Sequence, residues 1–442
     1  MQPGISIVDR VRYTSWGVRS IYGALLLISG LSIDTLVQAI AMRWQRKQWV
    51  IAPANLDPLY ELGTSLGFWG MLFFCVNCLL ATRWLWVERL FGGLDVVYRM
   101  HALVGKATFI MLVLHLMVLI IHALPDTDTL VAYLIPGLDV SYTLGMLGLF
   151  GLVTLVVITL WGSMPYQLWL TSHAWLGVPY LLGGAHALVA QADWYIALLT
   201  GIGGVAWIYS IAFYRRYAPH ARGLIAERTT DRGITELRIA LDTPLAAVAG
   251  QFVFFAVTKS QAAIPAELHP FSLSGIESPR DVRLSIKMVG DYTHQLDQLA
   301  PGDAVTIYGP YGMFGRRMPA AHQQLWIAGG IGITPFLSLL QHAVQTQHDT
   351  QITVVWAVRS RAEARYIDEL TERATQRTGI SVHLHEGPLS HADIESYAGP
   401  LCAQTQQVLM CAPVAMMRQL RTGFLQRGFA AHQIDSEEFG LR

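Results

Sequence analysis

An apolar run that is long enough to cross a bilayer, yet carries ionisable groups inside it, leaves a chain few choices. Residues 99–122 read RMHALVGKATFIMLVLHLMVLIIH, with His101 and His115 within the run. Hydrocarbon penalises ionisable side chains, so those retained there face a bundle interior and mark a functional pathway. Fourteen residues at 100° each leave the two rings about 40° apart around the helix and roughly 21 Å apart along it. One His therefore falls near each side of the hydrocarbon layer.

A second stretch answers the first. His173 and His186 lie in TSHAWLGVPYLLGGAHALV, thirteen residues apart. Two helices with two His each suit two haems, one above the other, through axial imidazoles. A straight helix would leave the second two rings roughly 140° apart. Pro179, with Gly177, Gly183 and Gly184 around it, predicts a distortion near Pro179 that corrects the angle.

The 442 residues exceed one ordinary domain, and the composition splits them. Up to about Phe213 the chain is a series of long apolar runs; beyond it the pattern is that of a soluble protein. Equal numbers of acidic and basic residues, 31 of each, argue against a nucleic-acid partner. Four cysteines spread over both halves make no disulfide framework. Cys75 and Cys78 form C-x-x-C in an apolar run with no following His, which reads as packing rather than haem attachment.

Six spans of near 20 residues are expected, at about 19–41, 64–82, 100–121, 142–162, 173–190 and 194–213. The first lacks a small-residue cleavage site after it and reads as a retained helix. Loop 122–141 holds Asp126, Asp128 and Asp139 and no Lys or Arg, so it is expected outside. Arg83, Arg89 and Arg99, and Arg215–Arg216 after the last span, are expected in the cytoplasm with both termini. Arg43, Arg46 and Lys47 violate this scheme, which is kept so that the soluble half can meet a nucleotide. The orientation sets His101 opposite His173 near the inner surface, and His115 opposite His186 near the outer. His122, about 10 Å beyond His115, is too close for a further stacked haem and reads as a loop or acceptor-site residue.

From 218 to 318 short alternating runs (LIAERTTD, ITELRIAL, GQFVFFAV, VRLSIKM, AVTIYG) separated by turns predict an antiparallel barrel. From 321, strand and helix alternate: QLWIAGG, a helix from Thr334-Pro335, ITVVWAVRS, a helix from Ala362, SVHLHEG, VLMCA and a helix from Pro413. That alternation predicts a parallel sheet covered on both faces. Gly329-Gly330-Ile331-Gly332-Ile333-Thr334-Pro335 lies at a strand-to-helix turn, where a pyrophosphate approaches the backbone. Pro335 suits the first helical turn. Arg359 and Arg361 end the second strand, where Arg accommodates a ribose 2′-phosphate. NADPH is therefore expected ahead of NADH.

Taken in order, His269-Pro270-Phe271-Ser272, Lys287 with Gly290-Asp291-Tyr292-Thr293, Gly309-Pro310-Tyr311-Gly312, the Gly-rich turn and Cys411-Ala412-Pro413 form a set. The set resembles the ferredoxin–NADP reductase module. Joined to six spans with paired His, the chain resembles the ferric reductase and NADPH oxidase superfamily from about the second span onward. The resemblance implies a transmembrane haem domain over 1–216, an FAD-binding barrel over 217–320 and an NAD(P)H-binding α/β domain over 321–442. It implies Phe271 against the isoalloxazine, Ser272 near its reactive nitrogen, and Lys287 with the Gly290–Thr293 turn on the FAD pyrophosphate. It also implies Gly329, Gly330, Gly332, Thr334 and Pro335 around the dinucleotide phosphates, Cys411 by the nicotinamide, and Phe439 covering the flavin. Ala412 stands where the family has Gly. The expected function is electron transfer from cytoplasmic NADPH through FAD and two b-type haems to an acceptor across the plasma membrane. A ferric chelate is the first choice and molecular oxygen the second. A cytochrome b-type subunit serving a protein or quinone, and an anchored flavin reductase without haem, are further readings.

Overall fold

The computed structural model describes residues 58–124, 126–162, 164–316, 322–346 and 349–437. They form two compact units. One holds the residues up to Val87 and Val96–Arg216, the other Glu88–Asp95 and everything from Tyr217 on.

In the first unit the helices are α1 (Pro58–Leu80), α2 (Leu85–Phe91, shared with the second unit), α3 (Leu94–Ala123), α4 (Thr127–Leu134), α5 (Val140–Trp161), α6 (Tyr166–Ala174), α7 (Gly177–Gln191), α8 (Trp194–Ile208) and, after a π-helical turn over Tyr209–Phe213, α9 (Tyr214–Tyr217). Among the described residues four segments are long and apolar enough to cross a membrane: Pro58–Leu80, Leu94–Ala123, Val140–Leu160 and Trp194–Tyr217. The surface agrees: Ile110, Leu114, Met117 and Ile121 are all exposed on α3. Their spacing of four, three and four makes one apolar stripe, which lipid would cover. The core side is built from Met71, Phe74, Cys75, Cys78, Leu152, Tyr180 and Ala206. Cys75 and Cys78 are thus buried packing residues, both free thiols.

Among the described residues four of the six expected spans are found as single long apolar helices. The expected span 19–41 lies outside the described residues. The expected span 173–190 is two helices, α6 and α7, broken at Trp175–Leu176. The break falls three to four residues before Pro179, and its cause is a side chain from α8. The Trp207 indole fills the place a side chain at 177 would need, since a Cβ there would come within 2.1 Å of the ring. The same indole Nε1–H donates to the Ala174 carbonyl at 2.7 Å, satisfying a group that the break would leave open in an apolar setting. Pro179 then sits in the first turn of α7, where its missing N–H costs nothing.

In the second unit, β1 (His220–Asp231), β2 (Ile234–Leu241), β3 (Phe252–Lys259), β4 (His269–Ser278), β5 (Asp281–Lys287) and β6 (Ala304–Tyr311) form a closed barrel in the order β1-β2-β5-β4-β3-β6. Every pairing is antiparallel. Its interior is filled by alternate residues such as Leu237, Ile239, Val253, Phe255, Leu273, Leu284 and Ile307. A short helix α10 (Asp291–Gln295) follows β5.

The remaining strands are β7 (Gln323–Gly329), β8 (Gln351–Val358), β9 (Ile380–Glu386), β10 (Gln406–Cys411) and β11 (Ile434–Glu437), in the order β11-β10-β7-β8-β9. All are parallel. The helices are α11 (Thr334–Thr346), α12 (Ile367–Thr375), α13 (His391–Ala398) and α14 (Val414–Gln426). Two apolar layers, one around Trp326, Phe336 and Trp356 and one around Ile327, Met410 and Phe424, show that both faces are covered. Strand order runs outward from β7 in both directions, so the sheet reverses between β7 and β10. In open α/β sheets that reversal is where ligands bind, beyond the carboxyl ends of the strands.

Candidate functional site

The four histidines come together in two pairs. His101 and His173 have ring centroids 5.8 Å apart, and His115 and His186 6.3 Å apart. Two metal–nitrogen bonds of about 2 Å plus the half-widths of two rings put axial imidazole centroids about 6 Å apart. The break at 175–176 gives the second helix the rotation that a straight helix lacks.

Every ring is held by Nδ1. That atom lies 3.2 Å from the Asn77 carbonyl in His101 and 2.6 Å from the Gly63 carbonyl in His115. In His186 it lies 2.8 Å from the Ser141 carbonyl. In His173 the neighbour is Thr159 Oγ1 at 3.4 Å. That hydroxyl already donates to the Leu155 carbonyl at 2.7 Å, so it is left to accept. A carbonyl can only accept, so Nδ1 carries the proton and Nε2 carries the lone pair. This is the tautomer of a metal-ligating imidazole oriented from behind. Trp169 stacks on His173 at 5.2 Å and 10°.

Among the described residues no group of three or more His, Cys, Asp or Glu could hold a metal ion. A metal held by two imidazoles must bring its other ligands with it, as a haem iron does. Space for a flat group exists. A cavity of about 430 Å³ reaches the His115–His186 pair, with Gly67, Gly145, Gly148 and Gly183 among its walls. A Cβ at Gly67 would stand 2.8 Å from the His115 ring, and one at Gly145 3.0 Å from His186. The polar part of the wall includes Tyr60, Thr64, Asp139, Ser141, Tyr142 and Gln191. His122, in the last turn of α3, packs its ring 5.5 Å from Tyr60.

Two polar groups near the pairs escape the sequence pattern. Thr108 lies midway between His101 and His115, and its buried hydroxyl has no hydrogen-bond partner; the same holds for Asn77 Oδ1. The seven-residue spacing 101, 108, 115 is the signal that could have found Thr108.

In the barrel, His269-Pro270-Phe271-Ser272 opens β4. Pairing with β5 begins only at Leu273, so residues 269–272 have a neighbour on the β3 side alone. Pro270 is tolerated there as on an edge strand. Ser272 is 4% exposed and its hydroxyl has no partner. An orphaned buried hydroxyl costs free energy unless a ligand completes it. His269 pairs with Glu267 at 2.8 Å and stacks on Tyr292 at 4.0 Å, with Phe271 beyond it at 6.4 Å.

Lys287 ends β5 with its Nζ 3.5 Å from Glu363. In the Gly290-Asp291-Tyr292-Thr293 turn, the amides of Val289 and Gly290 both donate to Thr293 Oγ1 at 3.0 Å. Those two N–H groups are therefore spent within the turn and are not offered outward.

The Gly-rich turn and Cys411-Ala412-Pro413 meet at the β7/β10 reversal. Gly330 has φ +54°, and a Cβ at Gly332 would stand 2.0 Å from the Cys411 carbonyl. A Cβ at Gly329 would stand 2.7 Å from that of Ala412. The Ala412 methyl thus occupies room that Gly329 vacates, which accommodates the departure from Gly at 412. Thr334 and Pro335 begin α11. Cys411 closes β10 fully buried, and burial, with Glu437 nearby, pushes its thiol well up from the ordinary range. Arg359 and Arg361 are exposed beyond the end of β8. Phe439 lies outside the described residues.

Residues 66–184 match the family model described as ferric reductase like transmembrane component, and residues 326–422 match that of the oxidoreductase NAD-binding domain. Two stretches of the chain are thus similar to a ferric reductase-like membrane component and to a nucleotide-binding oxidoreductase domain. It is 24% identical over 185 residues to Flavohemoprotein A of Dictyostelium discoideum, covering 38% of this chain and 46% of that protein. It is 30% identical over 177 residues to the carnitine monooxygenase reductase subunit of Escherichia coli (strain K12), covering 38% and 52%. The chain spans about half the length of the curated relatives it matches. Among solved structures, the FAD/NAD binding domain of nitric oxide dioxygenase from Vibrio cholerae aligns with a TM-score of 0.44 at 20% identity, covering 50% of this chain and 98% of that one.

Proposed function

We propose that the ferric reductase-like fusion carries electrons from cytoplasmic NADPH across the plasma membrane to an acceptor outside, first of all a ferric chelate. When bound, FAD supplies hydride acceptance and two b-type haems supply one-electron relay. The observation that carries this reading is the two close imidazole couples, each ring held by Nδ1 so that the lone pair is left on Nε2.

In this reading the chain's residues act by binding and orienting. His101 with His173, and His115 with His186, hold one haem iron each. The carbonyls of Asn77, Gly63 and Ser141 hold the Nδ1 side of the rings, which leaves Nε2 for the iron. Phe271 lies against the flavin ring, and Ser272 donates its otherwise orphaned hydroxyl to the flavin's reactive nitrogen. Lys287 offsets the FAD pyrophosphate charge, leaving Glu363 when it does so. The turn at Gly329, Gly330, Gly332, Thr334 and Pro335 receives the dinucleotide phosphates, with Arg359 and Arg361 toward the ribose. Buried, neutral Cys411 excludes water beside the nicotinamide without offering a charge there. Residues 1–216, 217–320 and 321–442 serve as haem, FAD and nucleotide domains.

The polar wall at the His115–His186 end favours a chelate over oxygen, because Tyr60, Thr64, Asp139 and Tyr142 offer hydrogen bonds and one negative charge to a metal-bearing ligand. The test is reoxidation of the NADPH-reduced protein in detergent. A ferric chelate added without oxygen should reoxidise it faster than air alone. Faster reoxidation by air, with superoxide appearing, would move the protein to the oxidase reading.

A further inference from the structure

The carboxyl ends of β8 and β9 bring an acid beside the two arginines. Val358 and Glu386 are register partners at the last rung of the ladder. Gly387 donates its N–H to the Val358 carbonyl at 2.8 Å, closing that rung. One carboxylate oxygen of Glu386 accepts the Arg361 backbone N–H at 2.9 Å. The side chains of Arg359, Arg361 and Glu386 all stand in solvent at the sheet's ligand-facing edge. Opposite charges in such a position normally pair. No salt bridge within 4.0 Å joins them, and Glu386 spends its hydrogen bond on the backbone instead.

Chemistry at this edge decides which dinucleotide enters. A guanidinium accommodates a 2′-phosphate, whereas a carboxylate accepts from a free ribose 2′-OH and repels a phosphate dianion. A site built for NADPH alone would carry the arginines without the acid. We infer that Glu386, on the strand next to the one that ends in the arginines, reads the adenosine ribose and offsets their charge, so that the protein uses NADH alongside NADPH. The inference rests on the reading of these strand ends as the pyridine-nucleotide site. Glu386 is a specificity-determining residue whose backbone hydrogen bond holds Arg361 in place while its second oxygen faces the ribose.

The full-length protein, loaded with FAD and in detergent, is mixed with NADPH or NADH in a stopped-flow instrument, and flavin bleaching gives kcat/KM for each. Glu386→Gln keeps an acceptor for the Arg361 N–H and removes only the charge. It should raise the NADPH-to-NADH ratio of kcat/KM by about fivefold at low salt, the size expected for an exposed charge. The change should lie in KM, and should shrink in 0.5 M salt through screening. Arg361→Ala should move the ratio the other way. An unchanged ratio in Glu386→Gln, with both nucleotides still bleaching the flavin, overturns the role of Glu386 and leaves the nucleotide site standing. Equal loss with both nucleotides makes Glu386 a structural cap and also overturns it. Failure of both nucleotides to bleach the flavin in the unaltered protein overturns the nucleotide site itself.

Discussion

Gly67→Ala offers a sharp test of the imidazole pairs. A Cβ at 67 would stand 2.8 Å from Cε1 and Nδ1 of His115, against at least 3.4 Å for ordinary contact. The ring must therefore move by about 0.6 Å (3.4 − 2.8). It cannot simply slide along α1, because Nδ1 is held at 2.6 Å by the Gly63 carbonyl one turn away on that helix. Metal–ligand distances tolerate only about ±0.2 Å. A displacement about three times that tolerance should break ligation at the His115–His186 pair and spare His101–His173. The helix itself gains from the change, since Ala is better than Gly inside a helix by about 0.5–1 kcal/mol. Loss of haem would thus not be a consequence of unfolding. Pyridine haemochrome assay against FAD content should fall from two haems per flavin to about one. Two haems per flavin with an unaltered low-spin electron paramagnetic resonance spectrum would refute the placement of this pair.

Other outcomes follow from the same geometry. Ser272→Ala should keep FAD bound and slow flavin reduction about three- to tenfold, the worth of one hydrogen bond; stopped-flow bleaching reads it, and an unchanged rate removes Ser272 from the flavin. Hydrogen bonding from Thr405 lowers the Cys402 thiol, while burial raises Cys411. Alkylation at pH 8 followed by mass spectrometry should therefore mark Cys402 first and leave Cys411 unmodified, and early labelling of Cys411 would contradict its burial. The raised Cys411 also sets a direction for stability. Above about pH 8.5 the unfolded thiol loses its proton while the folded one keeps it, so stability present below that pH is lost as pH rises, by up to about 1.4 kcal/mol per unit. Unfolding followed by flavin release between pH 7.5 and 9.5 should show a steeper fall in the unaltered protein than in Cys411→Ala.

The His pairs were legible because helix geometry converts spacing into facing. On α3 the seven-residue stripe 101, 108, 115 needs no tertiary knowledge. On the other side the sequence signal was only a Pro and three glycines. The break was set by Trp207, a residue 31 positions beyond Leu176 that supplies both the bulk and the hydrogen bond. Nothing local to 173–190 announces that partner. Strand β4 escaped the alternating pattern because Pro270 and three serines interrupt it, and it pairs on one side only over the motif. Helix α12 starts at Ile367, not Ala362, because residues 361–363 first take a 3₁₀ turn. The amides of Val289 and Gly290 are consumed by Thr293, a side-chain competition that spacing alone does not reveal. The Ala412 departure was compensated at Gly329 across two strands, and Glu386 met Arg361 through parallel register. Both contacts join residues far apart in the chain.

The central claim is that one chain connects a nucleotide site to two membrane haems. Anaerobic addition of NADPH to the purified protein, with the flavin and Soret bands followed together, tests it most directly. The account predicts flavin bleaching followed by a Soret shift to reduced bis-imidazole haem, with the shift abolished in His101→Ala. Flavin bleaching with no Soret band, or with a haem band that stays oxidised, would contradict it and leave an anchored flavin reductase.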